Sequence, residues 1–398
     1  MSTAQTPGPL TRGERLDYKI VLVLSLVHFT GDFYSSFFTP LLPAFQTKLS
    51  LTLTQVGLIT GTVRFLSFVV QPVVGYMADR YETRWFVLTG LFLVFFVIPF
   101  SGIAPNYWIL LTTLCLGSVG SSMFHPSTSG MVNVYAGNRA GFAQSIFNTG
   151  GTLAFALGPV FITSYVSRFG LSAMPWTMLL GLVSFIFCLK YMPKPVSENL
   201  AGLGFINSLK RTFGKVYKTV FLIWLVMVLR AVVGQTFLTF MPIYLTRQDH
   251  TLPSVGVIIA LFTIAGTLSG LTAGYCADRF GFKPVFLLSY LLMPPTLLMF
   301  LYMPGLGAYT GAFLSGFFVL APMPLGVVMA QKLAPGSRAM AASLMMGLAY
   351  GLGGVIAPGM GRLADIFGLT IVLKCTAFIP LVCLVPIALF QFLSLLLF

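Results

Sequence analysis

The 398-residue sequence predicts an all-α integral membrane protein with twelve transmembrane helices in two six-helix, pseudo-symmetric halves. Three observations point there: an apolar composition, a lopsided distribution of basic residues, and an internal repeat. Hydrophobic residues make up 57% of the chain and charged residues only 8%. Soluble domains carry roughly 25% charged residues. Mean hydropathy is +0.92, so almost nothing is left over for an extramembrane domain.

A span needs about 20 mainly apolar residues. Twelve such segments follow in order: 19–46, 54–78, 84–104, 107–136, 139–167, 171–192, 216–246, 253–277, 284–303, 307–333, 338–364 and 369–396. Trp85, Trp108 and Trp176 stand near predicted helix starts, where amphipathic rings favour the membrane interface. No cleavable leader is expected, because residues 1–18 are polar and run straight into a full-length span. The five cysteines lie in apolar stretches without paired spacing and read as small core residues.

The net charge of +14 reflects topology rather than an acidic partner. With the N-terminus in the cytoplasm, 16 of the 23 Lys and Arg residues fall inside and four (Lys48, Arg168, Arg247, Arg362) fall outside. That is the positive-inside pattern, and it places both termini in the cytoplasm. Nucleic acid is not an expected partner; membrane lipid is.

The repeat sets the architecture. "GYMADRYETR" at 75–84 recurs as "GYCADRFGFK" at 274–283, "GNRA" at 137–140 as "GSRA" at 336–339, and Pro159 as Pro358, each at an offset of 199. The expected organisation is a cytoplasmic tail at 1–18, an N-terminal half at 19–192, a linker at 193–215 and a C-terminal half at 216–398. Within the linker, Phe205, Leu209 and Phe213 alternate with Lys210, Arg211 and Lys215. Two readings of that stretch stay open: a helix lying on the membrane surface, or a basic loop.

Ionisable residues inside spans are costly and mark function by default. Asp32 and His28 stand one helical turn apart in the first span, Arg64 lies in the second and Arg230 in the seventh, while His125 sits nearer the cytoplasmic end of the fourth. In the repeat frame Arg230 maps beside Asp32, which predicts that the two face one cavity from opposite halves. Asp32 with His28 is the expected proton-coupling pair. Arg64, Arg230 and His125, with the neutral Gln144, Asn148 and Gln235, are candidate substrate contacts. Two arginines suit an anionic small molecule better than a cation. The structural alternative is a buried pair that only holds helices together.

Two halves related by an axis along the membrane normal resemble the major facilitator superfamily. The resemblance implies secondary transport by rocking of the halves about a midplane site. The repeated Gly-x-x-x-Asp-Arg stretches (Gly75, Asp79, Arg80 and Gly274, Asp278, Arg279) resemble that superfamily's gating loop, although Glu82 interrupts the first copy's basic tail. "NTGGTLAFALGP", with Gly150, Gly151, Gly158 and Pro159, is a partial match to the antiporter motif of proton-coupled drug exporters. Close helix packing through small residues explains the same pattern.

"HFTGDFYSSFFTPLLP" (28–43), "FHPSTSG" (124–130) and "NRAGFAQSIFNTGGTLAFALGP" (138–159) together resemble the fosmidomycin-resistance branch of the superfamily. That branch implies a proton-driven exporter in a bacterial inner membrane, with links to antibiotic resistance and the anionic phosphonate fosmidomycin as namesake substrate. The arginines leave phosphonates, carboxylates and siderophore-like acids as expected cargo, with polar-aromatic drugs beside them. Carried over by position, His28 and Asp32 match its first-helix motif, and His125 and Pro126 its fourth-helix motif. Ser127 stands where members often have an acid.

The expected protein is therefore a transporter and not an enzyme, without metal or cofactor, powered by the proton gradient and working as a monomer. A proton-coupled importer of organic anions is the alternative on the same fold, since fold does not fix direction. A membrane enzyme or receptor is the remote one. The sequence holds no H-E-x-x-H, no Walker lysine motif and no paired cysteine ligands.

Overall fold

Prolines and close glycine contacts shape how the expected spans are built. A computed structural model describes residues 16–78, 83–137, 139–193, 217–333, 345 and 349–389. Every regular element among them is helical. The first span is broken: α1 (Tyr18–Ser35) gives way to a turn containing Pro40, and α2 (Leu42–Leu49) restarts the helix with Pro43 near its start. Proline fits the first turn of a helix, where its missing N–H costs nothing. The second span is the unbroken α3 (Leu53–Ala78). The third begins as α4 (Thr83–Phe92), then loosens to a π turn at Leu93–Val97 and tightens to a 3-10 stretch at Ile98–Ile103 around Pro99.

Then come α5 (Tyr107–Tyr135), α6 (Ala140–Phe169) and α7 (Met178–Tyr191), the last entered through a 3-10 stretch at Leu171–Thr177. The second half opens with α8 (Tyr217–Thr246), α9 (Leu252–Phe280) and α10 (Phe282–Tyr302). Its tenth span is split into α11 (Leu306–Leu320) and α12 (Pro322–Leu333). The eleventh is described as α13 (Ala349–Val355) and α14 (Ala357–Phe367), and the twelfth as α15 (Leu369–Val382) and α16 (Leu384–Ala388). Ten of the described segments are long and apolar enough to cross a membrane.

The repeat is visible in where helices begin. Leu53 and Tyr107 start α3 and α5, and 199 residues later Leu252 and Leu306 start α9 and α11. The linker at 193–215 lies almost wholly outside the described residues, as do Asp79 and Arg80 of the first Gly-Asp-Arg stretch.

The two halves meet along two seams, α6 against α9 and α3 against α13 and α14. Small residues let the backbones touch. At the first seam Gly256 sits under the Pro159 carbonyl and the Thr163 hydroxyl. At the second, Gly57 sits under Ala357 and Pro358. These are the same contact seen twice, because 57 and 256, like 159 and 358, differ by 199. In hydrocarbon such close van der Waals packing replaces the hydrophobic effect as the force between helices.

The second seam carries a polar device besides. Thr52 and Gln55 form a reciprocal cap at the start of α3: the Gln55 N–H reaches the Thr52 hydroxyl at 3.1 Å, and the Thr52 N–H reaches the Gln55 side chain at 2.9 Å. The next two donors go to the other half. Leu53 and Thr54 each donate a backbone N–H at 2.9 Å to the two carboxylate oxygens of Asp365 on α14, and the Thr54 hydroxyl adds a third bond at 2.5 Å.

Candidate functional site

The buried face of α1 repeats every three or four residues: Val21, Leu24, Val27, His28, Gly31, Asp32. That spacing is one side of a helix, and α5 and α6 pack against it. Five of the six positions are ordinary core or near-core; Asp32 is the expensive one, at 2% exposure. His28, one turn earlier, places Nε2 3.1 Å from one Asp32 oxygen. From α5, His125 places Nε2 2.8 Å from the other. Asp32 is thus clamped between two imidazoles.

Both rings are held from behind. His28 Nδ1 lies 2.9 Å from the Phe147 carbonyl of α6, and its ring stacks on Phe147 with centroids 4.0 Å apart. His125 Nδ1 lies 2.8 Å from the Ser121 carbonyl one turn back on α5, with the Ser121 hydroxyl farther off at 3.3 Å. Gly151 of α6 makes room for the cluster, since a side-chain carbon there would stand 2.5 Å from the His28 ring and 2.8 Å from Asp32.

His28, Asp32 and His125 are also the residue types that hold transition metals, and one donor atom from each lies within 4.8 Å of the others. Donors around a tetrahedral zinc at about 2.0–2.1 Å stand roughly 3.3 Å apart. The contacts of 2.8 and 3.1 Å are hydrogen-bond lengths instead. The geometry is contracted for shared protons.

The other expected contacts disperse. Arg230 is not beside Asp32. It is buried at 1% exposure within the second half, and its Nη1 donates to the Val319 carbonyl of α11 at 3.1 Å. A rotation about the membrane normal carries repeat mates to opposite sides of the molecule, so matching positions in the repeat are not neighbours. Arg64 is half-buried on α3, its stem against Gly354 of α13 in the other half. Gln144 bonds Asn148 at 3.2 Å and Ser129 of α5 at 3.3 Å, so this pair ties α6 to α5. Gln235 is buried on α8. Ser127, where an acid was in question, turns back to the Met123 carbonyl at 2.8 Å.

Of the gating stretches, Gly75 lies in α3, and in the second copy Gly274 is half-buried while Asp278 and Arg279 are exposed at the end of α9. The antiporter-like residues are packing surfaces. Gly150 meets the Ser25 carbonyl of α1, Gly151 seats the cluster, Gly158 meets Ser36, and Pro159 touches Gly256 across the seam. Asp365 was not anticipated. The repeat held a clue, since its mate at 166 is a valine.

A membrane-embedded cluster of ionisable groups within two packed six-helix halves defines a secondary transporter fold, and comparison agrees. Residues 24–358 and 247–397 match the profile of the Major Facilitator Superfamily, and the chain belongs to that family. It is 27% identical over 393 residues to the fosmidomycin resistance protein of Escherichia coli (strain K12), covering 96% of each chain. It is 24% identical over 171 residues, 41% of the chain and 42% of the relative, to the quinolone resistance protein NorA of Staphylococcus aureus (strain Mu50 / ATCC 700699). Among solved structures, a mutant of the nucleoside transporter NupG superposes with a TM-score of 0.82 at 15% identity, covering 93% of this chain and 99% of that one. The protein is a multi-pass membrane transporter and not an enzyme.

Proposed function

We propose that the protein is a proton-coupled exporter of a small anionic or amphipathic compound, of the kind represented by phosphonates and siderophore-like acids, in a bacterial inner membrane with both termini cytoplasmic. The observation that carries this reading is the clamp on Asp32 by His28 and His125. Nothing in a purely structural account calls for two ionisable groups on the α1 core stripe and a third facing them from α5, given the cost of a charge in the membrane. A cluster able to gain and lose protons supplies the coupling ion's site.

Direction and cargo rest on different supports. Export is favoured by the relatives named for fosmidomycin and quinolone resistance. An anionic cargo is favoured by Arg64, which is half-buried where the halves meet and therefore reachable. Arg230 is closed off in this conformation and would join only if the halves rearrange. Protons and cargo then hold separate places, Asp32 in the first half and the arginine at the junction. They exclude each other through the conformations they favour, and either one loaded permits the halves to rock.

Inside-out vesicles carrying the protein test direction with fosmidomycin as the probe. An exporter accumulates the probe when the vesicle interior is acidified, and Asp32→Asn abolishes that accumulation. Uptake into right-side-out vesicles under an inward proton gradient, with none into inverted ones, would reverse the assignment to import.

A further inference from the structure

The backbone around the clamp fixes where the protons are. A carbonyl oxygen only accepts hydrogen bonds. The Phe147 carbonyl at His28 Nδ1 and the Ser121 carbonyl at His125 Nδ1 therefore hold both rings with a proton on Nδ1. The neutral form of each ring then has a bare lone pair on Nε2, and both Nε2 atoms lie against Asp32 oxygens. Lone pair against lone pair at 2.8 and 3.1 Å is repulsive. Each contact closes only around a proton.

We infer, resting on the proton-coupled reading above, that the cluster is a two-proton carrier, with one exchangeable proton in each Nε2–oxygen contact. Fully loaded, the three side chains carry a net charge of +1, whether both rings are imidazolium or one proton sits on Asp32. Losing one proton brings the charge to zero and leaves one contact closed. Losing both gives −1 and two repulsive contacts, so the unloaded cluster must spread apart. Unloading is thereby tied to movement of α5 against α1.

The two contacts are not equivalent. The His125 side chain is 27% exposed against 10% for His28. His28 is pinned between Phe147 and the edge of His125. His125 is thus the ring that water can reach, and His28 is the enclosed one. Among the described residues, the charges on neighbouring elements include Arg64, mid-helix on α3, which packs against α5, Arg139 and Arg168 flanking α6, and Lys190 in the last turn of α7. Facing the cluster itself, α5 brings His125 and Phe124, while α6 brings Phe147 and Gly151.

The chain has three histidines, which makes the test direct. His250 lies in the α8–α9 connection with Nδ1 3.0 Å from the Ser254 hydroxyl, and serves as an internal control. The experiment is nitrogen NMR of histidine-labelled protein in lipid nanodiscs across pH, assigned with His250→Ala. The expected spectrum at mildly acidic pH has protonated Nδ1 and protonated or proton-sharing Nε2 on both His28 and His125. His125→Gln leaves one shared proton, half the wild-type number, on His28. A bare Nδ1 on either ring, or a single shared proton throughout, overturns the inference. Should the variant not fold, the wild-type spectrum decides alone. A single proton combined with loss of uphill transport in Asp32→Asn would remove this inference and leave the coupled-export reading standing.

Discussion

The two seams between the halves are built on one template and finished differently. At both, a proline carbonyl or ring near the middle of one half meets a glycine of the other: Pro159 on Gly256, Pro358 on Gly57. At the α3–α14 seam, Asp365 then caps the first turn of α3 with three bonds. At the α6–α9 seam the corresponding positions cannot do this. Position 166 is valine, and Pro253 stands where Thr54 offers an N–H and a hydroxyl. There α9 caps itself through Thr251, which accepts from the Ser254 N–H at 3.4 Å. One seam is a dry contact; its mate is a contact with a latch. A pair of halves that rocks can use both, since dry packing is retained or lost as a surface while a latch releases bond by bond.

The comparison breaks most visibly if the shared template is spoiled. In Gly57→Val or Gly256→Val the added carbons meet backbone of the opposite half, which cannot yield as a side chain would. Either substitution is expected to reduce transport at least tenfold and to expose engineered cysteines at the outer end of α3. Similar losses at both seams would support the template, and a loss at only one would end the equivalence.

A smaller effect isolates the latch. Removing a helix cap costs about 1 kcal/mol, which is roughly fivefold in an equilibrium. Asp365→Asn should shift outer-face accessibility by about that factor while leaving the amount of folded protein unchanged. Val166→Asp should shift it much less, because Pro253 has neither N–H nor hydroxyl to offer and only the Leu252 N–H remains. An equal latch effect from Val166→Asp would show that charge at the outer rim, not capping, is responsible.

The smallest expected effect is that of outside acidity on the latch. Burial by itself would raise the Asp365 pKa, but the Thr54 hydroxyl, the Thr54 and Leu53 N–H groups and nearby Arg362 outweigh it and hold the carboxyl below its ordinary 3.8. A carboxylate with a lowered pKa contributes fully above its ordinary value, and its contribution is lost only as pH falls through the lowered one. Outer-face accessibility in an Asp32→Asn background, where the proton cluster is disabled, should therefore be flat between pH 7.5 and 5. A change in that window would place a titrating group in the seam.

How much of this was legible in the sequence depended on range. His28 and Asp32 are four residues apart on one helix, so helical periodicity alone puts them together. The spans and the repeat rest on composition and on copies of the same words. His125 was visible as an ionisable group inside a span and was read as a substrate contact; nothing in spacing ties position 125 to position 32, and the fold puts it on Asp32 instead. Arg230 shows the limit of the repeat: matching Asp32's position in the other half did not make it a neighbour, and the arginine bonds a carbonyl in its own half. Asp365 reads as an ordinary end-of-span acid until the fold brings α14 to the start of α3, 311 residues away in sequence. Interactions within a turn or a copied unit are written locally; those between halves are not.

The central claim is that protonation of the Asp32 cluster drives the rocking of the halves. Electron-paramagnetic distance measurement between spin labels at the outer ends of α3 and α14 tests it without knowledge of the cargo. Wild-type protein in nanodiscs should show a distance distribution that moves between closed and open populations as pH is taken from 8 to 5.5, and Asp32→Asn should show one distribution at every pH. If Asp32→Asn shifts with pH as the wild type does, the cluster is not what couples protons to movement.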